Sequence, residues 1–240
     1  MKKIRLSLVI AIFSVCAASC GVYHPQSVDI PLIEHKGDLR IDGTFSMSDG
    51  LEAKANATVS YGLFNHVAVQ AFGDVGEKGR YYTQGAAGLY FPFGVVVTEL
   101  YAGVGHGFGF AEGQTYIQTG SEEDKVKGRL TSDYNLPFLQ LNLGVLTGAG
   151  IDLGAGFKCG YILNHSTDDN YYAKRPEGAA KPVYNEQHTL LEPTIFIRFG
   201  GDKVKFSIRL GATFLDGEEK SGRHFPYHSY ALGAGVNFRL

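Results

Sequence analysis

Along most of the chain, apolar and polar residues alternate one for one. Residues 51–61 read Leu-Glu-Ala-Lys-Ala-Asn-Ala-Thr-Val-Ser-Tyr, apolar at odd positions and polar or charged at even ones. Successive side chains of a strand point to opposite faces, so this period predicts a strand with two unlike surfaces. Residues 203–214 behave the same way. Val204, Phe206, Ile208, Leu210, Ala212 and Phe214 share one face, and Lys203, Lys205, Ser207, Arg209 and Thr213 the other. Similar alternation runs through 38–47, 95–110, 136–146, 149–163, 188–199 and 227–240, and less cleanly through 65–74 and 80–92. No stretch after residue 19 sustains an apolar period of 3.6 residues. The pattern therefore predicts about ten strands and no helix in the body of the protein.

The connections alternate in length. Short ones fall at Gly62–Asn65, Pro92–Gly94, Thr147–Gly148 and Gly200–Asp202; longer ones fall at 75–79, 111–133, 164–187 and 215–226, with 48–50 as a short exception. An even strand number with short turns at one end and long loops at the other resembles outer-membrane barrels, whose short turns face the periplasm. The expected fold is all-β, a closed antiparallel up-and-down transmembrane barrel. A sheet spanning hydrocarbon must close, because an open edge leaves backbone groups unsatisfied at several kcal/mol each.

A soluble barrel would show the same alternation with the apolar face inside. Three features favour the apolar face outside. The polar face is rich in glycine (Gly103, Gly105, Gly144, Gly154 and Gly156 among others), which suits a narrow lumen that must make room for long side chains. Aromatic residues gather near the strand ends of the apolar face, resembling two interfacial girdles: Tyr61, Phe199 and Phe238 at one end, Phe45, Phe108, Phe110, Tyr161, Phe214 and Tyr230 at the other. The last strand, from Tyr230 to Leu240, is similar to the terminal strand read by barrel-assembly machinery, with a final Leu where Phe is usual.

An inward polar face carries Arg40, Lys54, Lys158, Arg198, Lys203, Lys205, Arg209 and Arg239 against Asp38, Asp42, Glu52, Asp74, Glu99, Asp152 and Glu192. Signs so nearly balanced predict pairing, because an unpaired buried charge is costly; an ion-selective pore carries rings of one sign. Barrels of about eight strands are filled by side chains, and open channels come with sixteen or more. A filled lumen is expected, with Arg40, Asp42, Glu52, Lys54, Glu99, Asp152, Lys158, Glu192, Arg198 and Arg209 as its charge network.

The N-terminus reads as an address. Lys2, Lys3 and Arg5 precede an apolar run from Leu6 to Ala18, the length of a signal core and too short to span a bilayer. It ends in Ala17-Ala18-Ser19-Cys20, which resembles a bacterial lipobox and implies lipidation at Cys20. Residues 1–19 are then a signal peptide, 20–36 a lipid-anchored periplasmic tether bearing Pro25 and Pro31, and 37–240 the barrel. No acid follows Cys20 before Asp29. In Bacteroidota-type lipoproteins early acids resemble a surface-export signal, so their lack favours a periplasmic anchor with both termini at the short-turn end.

Composition adds little that is specific. Charged residues are 19% of the chain, and the full-length net charge is −2. Without residues 1–19 the balance is 19 basic against 24 acidic, so no basic excess points to nucleic acid. Of Cys16, Cys20 and Cys159, only the last remains a thiol, and it reads as a small buried hydrophobe.

Chemistry is hard to find. A third alternative, a lipid-modifying outer-membrane enzyme, would place a His/Ser pair on the lipid side, but His106 lies on the apolar face and reads as a girdle residue, and His228 and Ser229 are adjacent and cannot share a strand face. His188 with Asp168 and Asp169 invites comparison with omptin-type proteases, but no motif supports it. His224 and His228, with Glu218, Glu219 and His165 or His188, have only weak metal-ligand spacing, and no metal or cofactor is expected.

Cys20, the Pro25/Pro31 stretch, Gly37-Asp-Leu-Arg-Ile41, Asn65-His-Val-Ala-Val69 and Tyr101-Ala-Gly-Val-Gly105 together resemble small lipidated outer-membrane barrels of Bacteroidota. That family is largely without assigned activity, so the resemblance implies location and shape. The expected role is non-enzymatic, as a structural or accessory component of an outer-membrane complex, with outer-membrane lipid and other outer-membrane proteins as partners. The alternative is a transport or ligand-binding barrel whose outer loops make contact through Tyr171, Tyr172, Lys174 and Arg175.

Overall fold

The computed structural model describes residues 21–24, 28–49, 52–119, 122–148, 150–174, 176, 178–216 and 225–240. Side chains are described throughout these except at 114–119 and 122–125. Cys16, Cys20, Pro25, Arg175, Glu218, Glu219 and His224 lie outside the described residues.

The strands are β1 (Leu39–Ser48), β2 (Ala53–Phe64), β3 (Val67–Gly76), β4 (Tyr81–Phe93), β5 (Val96–Thr119), β6 (Glu122–Leu146), β7 (Ile151–Asp169), β8 (Val183–Gly200), β9 (Val204–Ala212), β10 (Phe214–Asp216) and β11 (Tyr230–Arg239). Each pairs antiparallel with the next from β1 to β9, and β9 pairs with β11. β11 pairs with β1 from Arg40↔Arg239 to Ser48↔Ala231, which closes the sheet on itself. β9 and β10 follow one line along β8, so the barrel has ten staves. The interruption lies opposite Pro193, next to Glu192, which accepts a hydrogen bond from Thr213 Oγ1 at 3.0 Å. Proline has no N–H to give to a ladder.

Alternation sets which face is which. Phe45, Val104, Ile195 and Phe206 are each more than half exposed on the outside, while Glu99, Arg198, Arg209 and Lys158 are buried inside. This is the inverse of a soluble barrel, and an apolar outer belt suits hydrocarbon. Two outward positions depart from expectation. Phe110 is buried, because the guanidinium groups of Arg80 and Arg129 lie over its ring at 4.1 and 3.9 Å. Cys159 is not buried; it sits half-exposed on the outer wall between inward Lys158 and outward Tyr161.

The short turns sit at one rim. The turn at Gly94 needs a positive φ (61°), which glycine adopts without strain. At the opposite rim two expected loops are largely strand. β5 and β6 continue as a ladder to Thr119↔Glu122. β7 and β8 pair as far as Thr167↔Val183. Beyond Phe108, β5 has lost β4, and beyond Arg129, β6 has lost β7, so the outer part of the hairpin is a two-stranded ribbon.

The larger departure is the N-terminal segment, which is not a tether outside the barrel. Val22, Tyr23, Val28, Ile30, Leu32 and Ile33 are all buried at 1% exposure or less, with lumen-facing strand residues around them. His35 lies against Gly62 at the short-turn rim, and Gly21 lies against His228 at the other rim. Residues 21–24 and 28–36 thus lie along the lumen, the first group at one rim and the second reaching the other. Gly21, the first described residue, and Leu240 lie at opposite rims: Leu240 exchanges backbone hydrogen bonds with Leu39 at the short-turn rim, at 2.9 and 3.2 Å.

Candidate functional site

The functional core of the molecule is the lumen and the thread inside it. Near the long-connection rim the thread pairs with backbone, Val22 N donating to Pro226 O at 2.8 Å and His228 N to Tyr23 O at 2.9 Å; over 28–33, which has no ladder partner, it must satisfy its backbone elsewhere. Here side chains of the barrel wall do it. Arg198 Nη2 donates to Ile30 O at 2.6 Å, Arg40 Nη2 to Leu32 O at 3.0 Å and Gln140 Nε2 to Asp29 O at 2.8 Å. In the other direction, Ile33 N donates to Glu99 Oε1 at 2.8 Å and Val28 N to Thr194 Oγ1 at 3.2 Å. Pro31 has no N–H to satisfy.

Charge follows the same path. Arg209 pairs with Asp42 on β1 and, through Nη1, with Asp29 of the thread at 3.0 Å. Arg198 Nη2 stands 3.9 Å from the same Asp29 carboxylate. Two buried guanidiniums therefore depend on one wall carboxylate and one thread carboxylate. Toward the long-connection rim, Lys158 Nζ donates to Gln84 Oε1 at 2.9 Å, stands 4.0 Å from Glu192 and lies 4.8 Å from the Phe138 ring centroid. Lys54 pairs with Asp74 at 3.5 Å. At the short-turn rim, Arg40 meets Asp38 at 3.3 Å and Glu34 at 3.4 Å, and Lys205 meets Asp152 at 2.6 Å.

The lumen glycines have a use that composition alone did not reveal. A Cβ on Gly156 would stand 2.8 Å from Ile30 Cδ1, and one on Gly144 would collide with the Leu32 side chain. These positions are bare because the thread occupies the space.

At the long-connection rim the thread meets a polar cluster. His24 Nε2 lies 3.2 Å from Glu52 Oε2, and His228 Nε2 lies 3.4 Å from the same oxygen. The imidazoles of His24 and His228 approach to 4.4 Å between centroids. Arg80 Nη1 also reaches Glu52 Oε2, at 2.9 Å. His228 is fully buried, its Nδ1 2.9 Å from Asp49 Oδ1, while Gly21 N donates to its Nε2 at 3.1 Å.

Other sequence candidates are placed differently. His188 is buried, stacked on Phe225 at 4.7 Å, with Nε2 3.7 Å from Glu186. Asp168 Oδ1 accepts from Tyr171 N at 2.6 Å, near where β8 begins. At 3.3–3.4 Å per residue, His188 lies roughly 20 Å further along the strand, so the protease-like pair is not assembled. His106 faces outward, 3.2 Å from Asn135 Oδ1. Tyr171 and Tyr172 turn inward onto the buried cluster and meet edge to face at 5.1 Å, which leaves Lys174 exposed among the described residues of that group.

Sequence reasoning missed His24, Asp29, Ile30, Leu32 and Arg80. One signal was available. Val28-Asp-Ile-Pro-Leu-Ile33 is too aliphatic for a solvated tether, with a single acid in its midst.

A closed ten-stave antiparallel barrel with an apolar exterior and a polar, charge-paired interior is the fold of outer-membrane β-barrels. The outer-membrane protease OmpT of Escherichia coli superposes with a TM-score of 0.56 at 11% identity, over 85% of this chain and 94% of that one. The KdgM porin, solved with disordered oligogalacturonate, gives 0.41 at 11% identity over 83% and 98% of the two chains. The N-terminal barrel domain of OprF from Pseudomonas aeruginosa gives 0.37 at 9% identity over 86% and 100%. At such identities the likeness is one of fold. No family model and no curated protein matches the sequence.

Proposed function

We propose that this protein is a lipidated outer-membrane barrel with a closed lumen, serving as a structural or accessory component of an envelope complex. The observation that carries this reading is the thread. Buried residues 28–33, pinned by Asp29 to Arg198 and Arg209, occupy the path that a solute would take. A diffusion pore has no use for a lumen whose charges are consumed internally.

The reading places the short turns in the periplasm, as in outer-membrane barrels generally. Gly21 is then at the outer rim. Cys20, one peptide unit away and therefore about 3.8 Å between Cα atoms, carries its acyl groups on the cell-surface side. This reverses the periplasmic anchor expected from the sequence. The resemblance to lipidated Bacteroidota barrels accords with the lipid, and the thread supplies the route to the surface.

The test is electrical. Full-length protein in planar bilayers is expected to give no stable large conductance. A variant lacking residues 21–33 should open a conducting lumen if it retains its heat-modifiable migration. Large steady conductance from the intact protein would overturn the proposal.

A further inference from the structure

We propose that His24, Glu52 and His228 form a binding site for a divalent transition cation of the Zn²⁺ class, which clasps the thread to the long-connection rim. The inference stands on the geometry of this site and does not depend on lipidation or on the absence of conductance.

The three ligand atoms lie within 4.8 Å of one another. In a tetrahedral site with bonds of about 2.0–2.1 Å, neighbouring ligand atoms stand about 3.3–3.4 Å apart. The observed separations of 3.2 and 3.4 Å from Glu52 Oε2 to the two imidazole nitrogens are already of that size. Two imidazoles and one carboxylate are a donor set suited to Zn²⁺, with a fourth position for water.

The surroundings are those of a ligand set rather than of a chance cluster. Asp49 Oδ1 lies 2.9 Å from His228 Nδ1, and the same carboxylate is held by the backbone N–H of Ser229 at 3.0 and 3.1 Å. A carboxylate behind a ligating histidine fixes the ring and leaves Nε2 as the donor atom. That tautomer is assigned from the partners of each nitrogen, Asp49 on one side and Gly21 N–H on the other. Gly21 N–H occupies the Nε2 lone pair at 3.1 Å, and the cation replaces it. Arg80 balances Glu52 through Oε2 at 2.9 Å and can turn to the second oxygen when a cation arrives.

The ligands come from three parts of the chain: the thread, the β1–β2 connection and the β10–β11 connection. Only the threaded arrangement brings them together. By linkage, a cation at a hundredfold excess over its Kd lowers the population of the withdrawn thread about a hundredfold.

The experiment uses full-length protein, chelator-stripped in detergent, with Cys16, Cys20 and Cys159 each changed to Ala for the titration, and with Val22→Cys added for the labelling arm alone so that one thiol reports on the thread. Zn²⁺ is titrated in competition with a chromogenic chelator in the presence of millimolar Mg²⁺, which prefers oxygen ligands and should not compete. One equivalent is expected to bind, and His24→Gln or Glu52→Gln should each weaken it at least tenfold. Neither residue lies in a barrel ladder, and heat-modifiable migration checks that each variant folds. Loading should slow maleimide labelling at position 22 at least tenfold, and His24→Gln should abolish that slowing. Binding below one equivalent, undiminished binding by the His24→Gln/Glu52→Gln double variant, or labelling indifferent to Zn²⁺ would each overturn the proposal.

Discussion

Arg198 and Arg209 lie fully buried in the lumen, and both face Asp29. Removing one partner from a buried ion pair leaves the other uncompensated, at a cost of about 3–5 kcal/mol. Asp29→Ala should therefore destabilise the folded barrel by that order in urea unfolding, whereas a free tether would tolerate it. Gly144 tests the same contact from the wall. A Cβ there overlaps Leu32, so Gly144→Val should cost about 1–3 kcal/mol and raise protease sensitivity within residues 28–36. The wall's charged residues could be read from the sequence because strand period assigned them to one face. Their main partner could not. Asp29 belongs to no strand, and nothing in a linear pattern says that a proline-bearing segment lies inside a barrel.

The strands were legible wherever their two faces meet different media. Core stretches such as Ala53–Tyr61 and Val204–Leu210 alternate because one side meets an apolar phase and the other a charged lumen. Beyond the rim that contrast disappears. The β5–β6 ribbon outside Gly113↔Gly128 pairs with no third strand and encloses no lumen, so hydropathy reads it as loop although the backbone ladder continues. At 3.4 Å per residue, the ribbon from Ala111 to Thr119 extends about 30 Å. It contributes to no stave. Replacing residues 114–127 by a two-residue turn should leave heat-modifiable migration and the urea midpoint essentially unchanged, and a large loss of stability would show that the ribbon is part of the barrel's support.

For the whole molecule, the decisive fact is that the first and last described residues lie at opposite rims, Gly21 beside His228 and Leu240 beside Leu39. Alternating turn lengths revealed which rim is which, but not that the chain crosses between them a further time. The consequence for topology can be checked on cells. A protease site inserted directly after Gly21 should be cut by external protease in intact cells, with a site at the C-terminus protected. The opposite pattern would restore the periplasmic anchor.

The seam between β1 and β11 joins the first and last staves, and β1 is continuous with the thread it encloses. If Cys20 is lipidated as proposed, a cord fixed to the wall at one mouth and carrying that bulky group at the other cannot be drawn in once the cylinder is shut. Biogenesis then has only one order open to it. The modified end must first be carried to the far side, the staves laid around it one after another, and the first and last joined around a cord already in place. Stalling that final joining should leave an open sheet with its tail outside, a species that an assembly factor would have to recognise and hold.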